Sequence, residues 1–394
     1  MVSARSALAL ALSAALGLAA CNAVLGLDKL SEKPATVEVD GDVIDPGDGG
    51  PTTCTEDSVD AARRPAAQGA GDEARYFAFN DLQIAVSADL GFDLDHVATV
   101  DAKTSSCALP QGVSPITDAP GGVDNGGAAL FPTVGIVAPA LSAKAIVDRL
   151  RDAQFGVLLG LGGWNGTLTD DSLTLLVFPT LGIWTENPGA SPTPGGPTNP
   201  AHRTITGDGA PTDRWMRDAR FPTGAGDATA AWVNGGRLVA RFDTLTLPIR
   251  PDFDLKPLDL VVRDAWITGD LGGDKDQPTL RNGVIAGRLV VSDFLADLLL
   301  LYTGQEYLCR QDRFPDLARS RICAFRDIRA SHCDDKKALP CDALSFSARF
   351  ETYRVDQLGP VFEQTAEVYA SAGLLAPPER CKDVDIDGGS RCPP

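Results

Sequence analysis

Several carboxylates of this chain stand close together among turn-forming residues, the arrangement in which side chains gather a hard cation. Asp93 and Asp95 alternate with Phe92 and Leu94, and Asp101 follows. Asp124 and Asn125 sit inside the run Gly121-Gly122-Val123-Asp124-Asn125-Gly126-Gly127. Oxygen donors supplied by loops suit Ca²⁺, which gathers roughly six to eight of them. Asp93, Asp95, Asp101, Asp124 and Asn125 are therefore a candidate set for a structural calcium ion. The competing reading is that they form Asx turns and strand ends. A second series, Asp383-Val384-Asp385-Ile386-Asp387-Gly388, begins like a calcium loop, but the bidentate acid that such a loop needs would fall on Pro394. A solvated acidic tail is the simpler account there. No cofactor is required by any motif.

Catalytic signatures are sparse. The chain has 3 histidines, His96, His202 and His332, and lacks a Gly-x-Ser-x-Gly elbow, a His-Glu-x-x-His pair and a phosphate loop. Gly160-Leu161-Gly162-Gly163-Trp164-Asn165-Gly166 has the glycine spacing of a nucleotide-binding turn. It leads into Thr167-Leu168-Thr169-Asp170-Asp171, with no helix to present N–H groups to a pyrophosphate. A turn between strands explains it better. Leu158 to Trp164 and Gly91 to Asp95 also resemble two strand motifs of the chitinase family. The family's acid/base Glu would fall on Val97, which cannot transfer a proton, and the motifs run in the reverse order, so that reading fails. Trp164, beside the Asn165-Gly166 turn, is the candidate for stacking on a sugar among Trp164, Trp184, Trp215, Trp232 and Trp266. Core packing is the alternative fate of such rings.

The chain has 9 cysteines. Setting Cys21 aside leaves Cys54, Cys107, Cys309, Cys323, Cys333, Cys341, Cys381 and Cys392, an even set that in an exported protein reads as a disulfide framework. Sequence leaves roughly a hundred connectivities open. Pairing of neighbours (54 with 107, 309 with 323, 333 with 341, 381 with 392) is the cheapest local solution. No two cysteines are spaced as a zinc site needs, and His332 beside Cys333 does not supply one.

The elements that must position these residues are mostly strands. Tyr76–Asn80 and Leu82–Val86 read as two strands. Phe155–Leu161 and Ser172–Phe178 flank Asn165-Gly166. Ala230–Val233 and Arg237–Phe242 flank Asn234-Gly235-Gly236, the clearest hairpin signal. Leu258–Thr268, Val284–Val290 and Ala343–Phe350 add three more. Ser142–Ala153 reads as a helix capped by Ser142, with Ile146, Val147 and Leu150 on one face. Asp293–Leu301 and Pro315–Ile328 read as helices in a cysteine-rich section, and Glu363–Ala372 as a last one. The expected architecture is mainly β: an antiparallel, jelly-roll-like β-sandwich over residues 73–375, with a disulfide-stapled helical insertion at about 291–341 and an acidic tail at 376–394.

The N-terminus addresses the compartment. Arg5, an apolar run of about a dozen residues from Ala7 to Leu18 and small residues after it describe a signal peptide over residues 1–20. The run is too short to span a bilayer. Leu18-Ala19-Ala20-Cys21 resembles the lipobox of bacterial lipoproteins, which implies lipidation of Cys21 (diacylglycerol, with palmitate on the new amine) and membrane attachment. In that family Asn22, rather than Asp, favours the outer membrane. Residues 21–72, rich in Asp, Glu, Gly and Pro, read as a flexible tether. The leader and tether, Phe92-Asp93-Leu94-Asp95, Gly122-Val123-Asp124-Asn125 and Cys341-Asp342-Ala343-Leu344-Ser345 resemble surface lipoproteins of large Gram-negative genomes, a group with no known activity.

A formal charge of −18 opposes contact with nucleic acid or anionic headgroups. The expected function is that of a non-catalytic, lipid-anchored envelope protein that binds a glycan or protein ligand or plays a structural part. The alternatives are a calcium-dependent carbohydrate-binding module and a hydrolase with an unfamiliar site.

Overall fold

The computed structural model describes residues 63–362 and Cys392, apart from residues 67–70, 72–73, 86, 101–104, 110–112, 125, 185–204, 206–208, 251–256, 275, 302–306, 311–313 and 336–338. All of them belong to one unit, Thr55–Pro394. In chain order the strands are β1 (Arg75–Ile84), β2 (Gly156–Gly162), β3 (Thr174–Trp184), β4 (Arg214–Asp218), β5 (Gly226–Asp227) and β6 (Ala230–Asn234). β7 (Arg237–Ile249), β8 (Leu258–Gly273), β9 (Pro278–Val290), β10 (Ala343–Val355) and β11 (Val361–Phe362) follow. The helices are α1 (Gly126–Val137), α2 (Ala143–Arg151), α3 (Val291–Leu299) and α4 (Phe314–Ala324).

The mainly-β, antiparallel architecture is present, and its strands form one continuous sheet in the order β11-β4-β3-β2-β1-β10-β9-β8-β7-β6, with β5 paired to β3. The sheet curls until its two sides are stitched together. Val233 of β6 exchanges backbone hydrogen bonds with Asp170, and Leu173 N–H donates to the Ala231 carbonyl. The segment around β5 bonds β3 on one side, while Thr246 N–H donates to Ala225 O and Thr229 N–H to Arg241 O on the other. Phe77, Val177, Phe242, Ile267 and Phe346 thereby share one apolar core. Such closure leaves fewer unpaired backbone groups than an open sheet would.

β1 shows how the chain keeps that core apolar. The expected two strands are one strand with a bulge between Phe79 and Asp81. Phe77 and Phe79 face the core before it, and Leu82 and Ile84 after it, so the inserted residue moves the buried face from odd to even positions. Phe79 stacks on Phe350 with centroids 4.3 Å apart. Gly283, opposite Phe350, makes room for that ring: a Cβ there would lie 2.2 Å from it. The β6–β7 hairpin turns at Gly235-Gly236 as its sequence predicts, with φ of 61° and 83°, a pair that favours glycine. β2 and β3 also pair, but the connection runs through residues 163–173 rather than a two-residue turn.

The helices pack on the same core. Ser142 caps α2, its hydroxyl accepting the Ala145 N–H at 3.3 Å, and Ile146 and Leu150 are buried. α1 lies in a stretch whose Gly126-Gly127 and Pro132 oppose a helix. Burial decides: Leu130, Phe131 and Val134 join the core, and Phe131 meets Phe346 and Phe294 at 5.8 Å each. α3 and α4 form the expected helical insertion.

The disulfides differ from the neighbour pairing. Cys107 bonds Cys341 across 234 residues, and Cys323 bonds Cys392 across 69. Cys309 and Cys333 are also disulfide-bonded. The sheet brings distant segments together, so spatial rather than sequence neighbours pair. The insertion is stapled to elements outside itself. Cys21, Cys54, Cys381, the last expected helix and the acidic tail at residues 383–388 lie outside the described residues. Within the expected tether, Arg64 Nε donates to Asp171 O at 2.9 Å and Gly71 N–H to Gly163 O at 2.6 Å.

Candidate cation site

Two stretches of the chain between β1 and α1 meet on the face of the sheet opposite the main core. Phe92 and Asp124 form an antiparallel bridge, with Asp124 N–H donating to Phe92 O at 2.9 Å. Leu94, 1 % exposed, is the anchor: it packs in a cluster with Trp232, Trp266, Ala286, Ile328 and Ala343. Asp93 and Asp95 flank this apolar plug and converge on Asp124. One carboxylate oxygen from each lies within 4.8 Å of the others.

The immediate contacts hold these carboxylates without neutralising them. Asp124 Oδ2 accepts the N–H groups of Leu94 at 2.7 Å and Asp95 at 3.3 Å. Asp95 Oδ1 accepts the Val97 N–H at 2.8 Å. Asp93 Oδ1 is buried and accepts no hydrogen bond. Gly122 lies against Asp93: its φ is +80°, and a Cβ there would stand 3.0 Å from Asp93 Oδ2. The glycine-rich turn next to Asp124 therefore has a steric reason to be glycine-rich.

Two further carboxylates join the field. Asp118 Oδ2 accepts the Thr99 N–H. Asp327 accepts the N–H of Ser345 at 2.8 Å and that of Gly126, the first residue of α1, at 3.1 Å. Burial raises all four of Asp95, Asp118, Asp124 and Asp327, and their like charges raise them further. Asp118 is pushed up to about 6 and Asp327 to about 7, while Asp124 stands well above the usual carboxylate range. Arg288, whose side chain is 0 % exposed, partly offsets the charge of Asp95. It donates to the carbonyl of Leu94, between the two aspartates, and pairs with Asp335 at 2.6 Å. Among the described residues, Asp93, Asp95, Asp118, Asp124 and Asp327 thus share one field, and the Arg288 guanidinium beside them is already paired with Asp335. That imbalance suits a divalent cation with oxygen ligands.

The structure brings together Asp93, Asp95 and Asp124 of the candidate set, whereas Asp101 and Asn125 lie outside the described residues. Asp118 and Asp327 carry no local signal; only the pairing of their segments reveals them. Trp164 is not a stacking platform: it is 3 % exposed in the core, and its indole N–H donates to Thr167 O at 2.8 Å. The turn beside it folds the ring inward. His332 is held on both sides, Nδ1 lying 2.9 Å from Asp264 Oδ2 and Nε2 3.5 Å from the sulfur of disulfide-bonded Cys333. No protein-family model, curated protein or solved structure matches this chain.

Proposed function

We propose that this chain is an exported, lipid-anchored envelope protein with a non-catalytic binding or structural role, and that Asp93, Asp95 and Asp124 hold a calcium-like divalent cation in it. The observation that carries the cation reading is the convergence of three carboxylates from two ends of one long connection, with the buried Asp93 Oδ1 lacking a donor. A divalent ion offsets the repulsion among them and supplies the partner that a buried anionic oxygen needs. Its role is to fasten the long connection between β1 and α1 to the sheet.

The anchor rests on the leader and Cys21, and outer-membrane placement on Asn22. The disulfide-bonded body agrees with an oxidising compartment. Four of the five tryptophans, Trp164, Trp215, Trp232 and Trp266, are buried, which gives a carbohydrate-binding reading no tryptophan platform among the residues whose side chains are described.

Isothermal titration of the purified full chain with Ca²⁺ and with Mg²⁺, beside a D93N/D95N variant, tests the cation. Saturable calcium heat in the parent and its loss in the variant are expected, and equal heats in both would refute the site. Mass spectrometry and membrane fractionation of a C21S variant test the anchor. Retention of the lipid mass in that variant would refute it.

A further inference from the structure

We propose that the Cys107–Cys341 disulfide and the cation site form one coupled unit: the bond holds the acidic loops closed over the sheet, and a bound divalent cation protects the bond from reduction. This rests on the cation reading above and adds to it a regulation of the same site.

The geometry joins the two by a short run of contacts. Cys107 lies in the chain between Asp95 and Asp124, and its bond to Cys341 ties that stretch to the start of β10. Two backbone bonds of the next residue run beside it: Ala108 N–H donates to Leu339 O at 2.8 Å, and Cys341 N–H to Ala108 O at 2.9 Å. The Cys107 sulfur sits 3.3 Å from the carbonyl oxygen of Asp327. The carboxylate of that same residue holds the N–H of Gly126, two residues past Asp124, at 3.1 Å. Disulfide, Asp327, the start of α1 and Asp124 are thus consecutive members of one contact chain.

Burial makes the coupling measurable. Cys107 is 6 % exposed and Cys341 0 %, so a reductant reaches neither sulfur without local opening. Opening there lifts the loop that carries Asp93, Asp95 and Asp124. A cation that binds only the closed arrangement lowers the open population by the factor 1 + [L]/Kd. In the reduction, a thiolate of dithiothreitol attacks one sulfur and forms a mixed disulfide. That attack breaks the S–S bond and expels the other cysteine as its thiolate; the reagent's second thiol then closes the ring and releases the first, the two electrons coming from the reagent. By linkage, the factor by which losing the bond weakens cation binding equals the factor by which a bound cation shifts the dithiol–disulfide equilibrium toward the bond.

The test is timed reduction of the full chain by dithiothreitol in calcium and in EDTA, read by differential alkylation and peptide mass mapping. Cys323–Cys392, outside this contact chain, is the internal control. With calcium at ten times its Kd, reduction of Cys107–Cys341 is expected to slow about tenfold while Cys323–Cys392 keeps its rate. Unchanged rates at Cys107–Cys341 in a chain that gives calcium heat would overturn the coupling, and so would equal slowing of both bonds, which reports global stability. Absence of calcium heat in the oxidised chain would instead overturn the cation reading itself. A C107S/C341S variant is expected to bind calcium at least tenfold more weakly, and an unchanged Kd would count against the proposal. If that variant does not fold, the reduction assay on the native chain still decides.

Discussion

Asp124 Oδ2 accepts the backbone N–H of Leu94 at 2.7 Å, across 30 residues of chain. This bond sets one aspartate beside two others while Leu94 itself is buried on the tryptophan-lined face. An apolar anchor and a charged site are built from adjacent residues, so packing energy holds carboxylates together against their repulsion.

The first prediction concerns Asp124 itself. In D124N the amide oxygen still accepts the Leu94 N–H, but the charge is gone. Without metal the variant should melt higher than the parent, because a buried carboxylate that desolvation and Asp95 both disfavour has been neutralised. With calcium the order should reverse, the Kd rising about tenfold or more. Thermal melts in EDTA and in calcium check both signs, and a variant less stable in both conditions would contradict this account.

A pH dependence follows from Asp118 and Asp327. Their folded values, about 6 and about 7, lie above the ordinary carboxylate value of 3.8. Between the unfolded and folded values the native state holds more protons than the unfolded one, so stability falls as pH rises. In EDTA the midpoint of unfolding should therefore drop as pH is raised from about 4 to about 7. Calcium, by stabilising the ionised cluster, should flatten that decline. A metal-free stability that climbs through this window would rule the arrangement out.

Leu94→Ala removes the anchor. Its side chain is 1 % exposed in the cluster that holds Trp232 and Trp266, and emptying such a position costs about 2–5 kcal/mol. Urea unfolding measures that loss. Calcium titration should show a weaker Kd as well, since Asp93 and Asp95 flank the cavity created.

Gly122→Ala tests the close approach on the other side. The backbone there has φ +80°, and the added methyl would meet the Asp93 carboxylate at 3.0 Å. The backbone conformation alone costs about 1–2 kcal/mol for a residue with a Cβ. The displaced carboxylate should weaken calcium binding beyond what that stability loss explains, as read by titration at a temperature well below the melt.

Much of the architecture was legible because period-two patterning and turn chemistry are local. The β6–β7 hairpin followed from Asn234-Gly235-Gly236, and α2 from Ser142 and the spacing of Ile146 and Leu150. β1 read as two strands because its bulge reverses the alternation at Asp81, which a pattern alone cannot tell from a break. α1 was illegible for the opposite reason: glycines and a proline argue against a helix, and only burial against Phe346 and Phe294 outweighs them.

By itself the sequence determined the strand-rich character, the even cysteine set that follows once Cys21 is set aside, and the acidic pair flanking Leu94. Only the tertiary structure decided that Asp124 completes this pair, that Asp118 and Asp327 share its field, that Cys107 reaches Cys341, and that Trp164 faces inward. The physical reason is range. Propensity and alternation act over a few residues, whereas carboxylate repulsion, disulfide partnership and burial depend on distances between segments that the closure of one curled sheet alone sets.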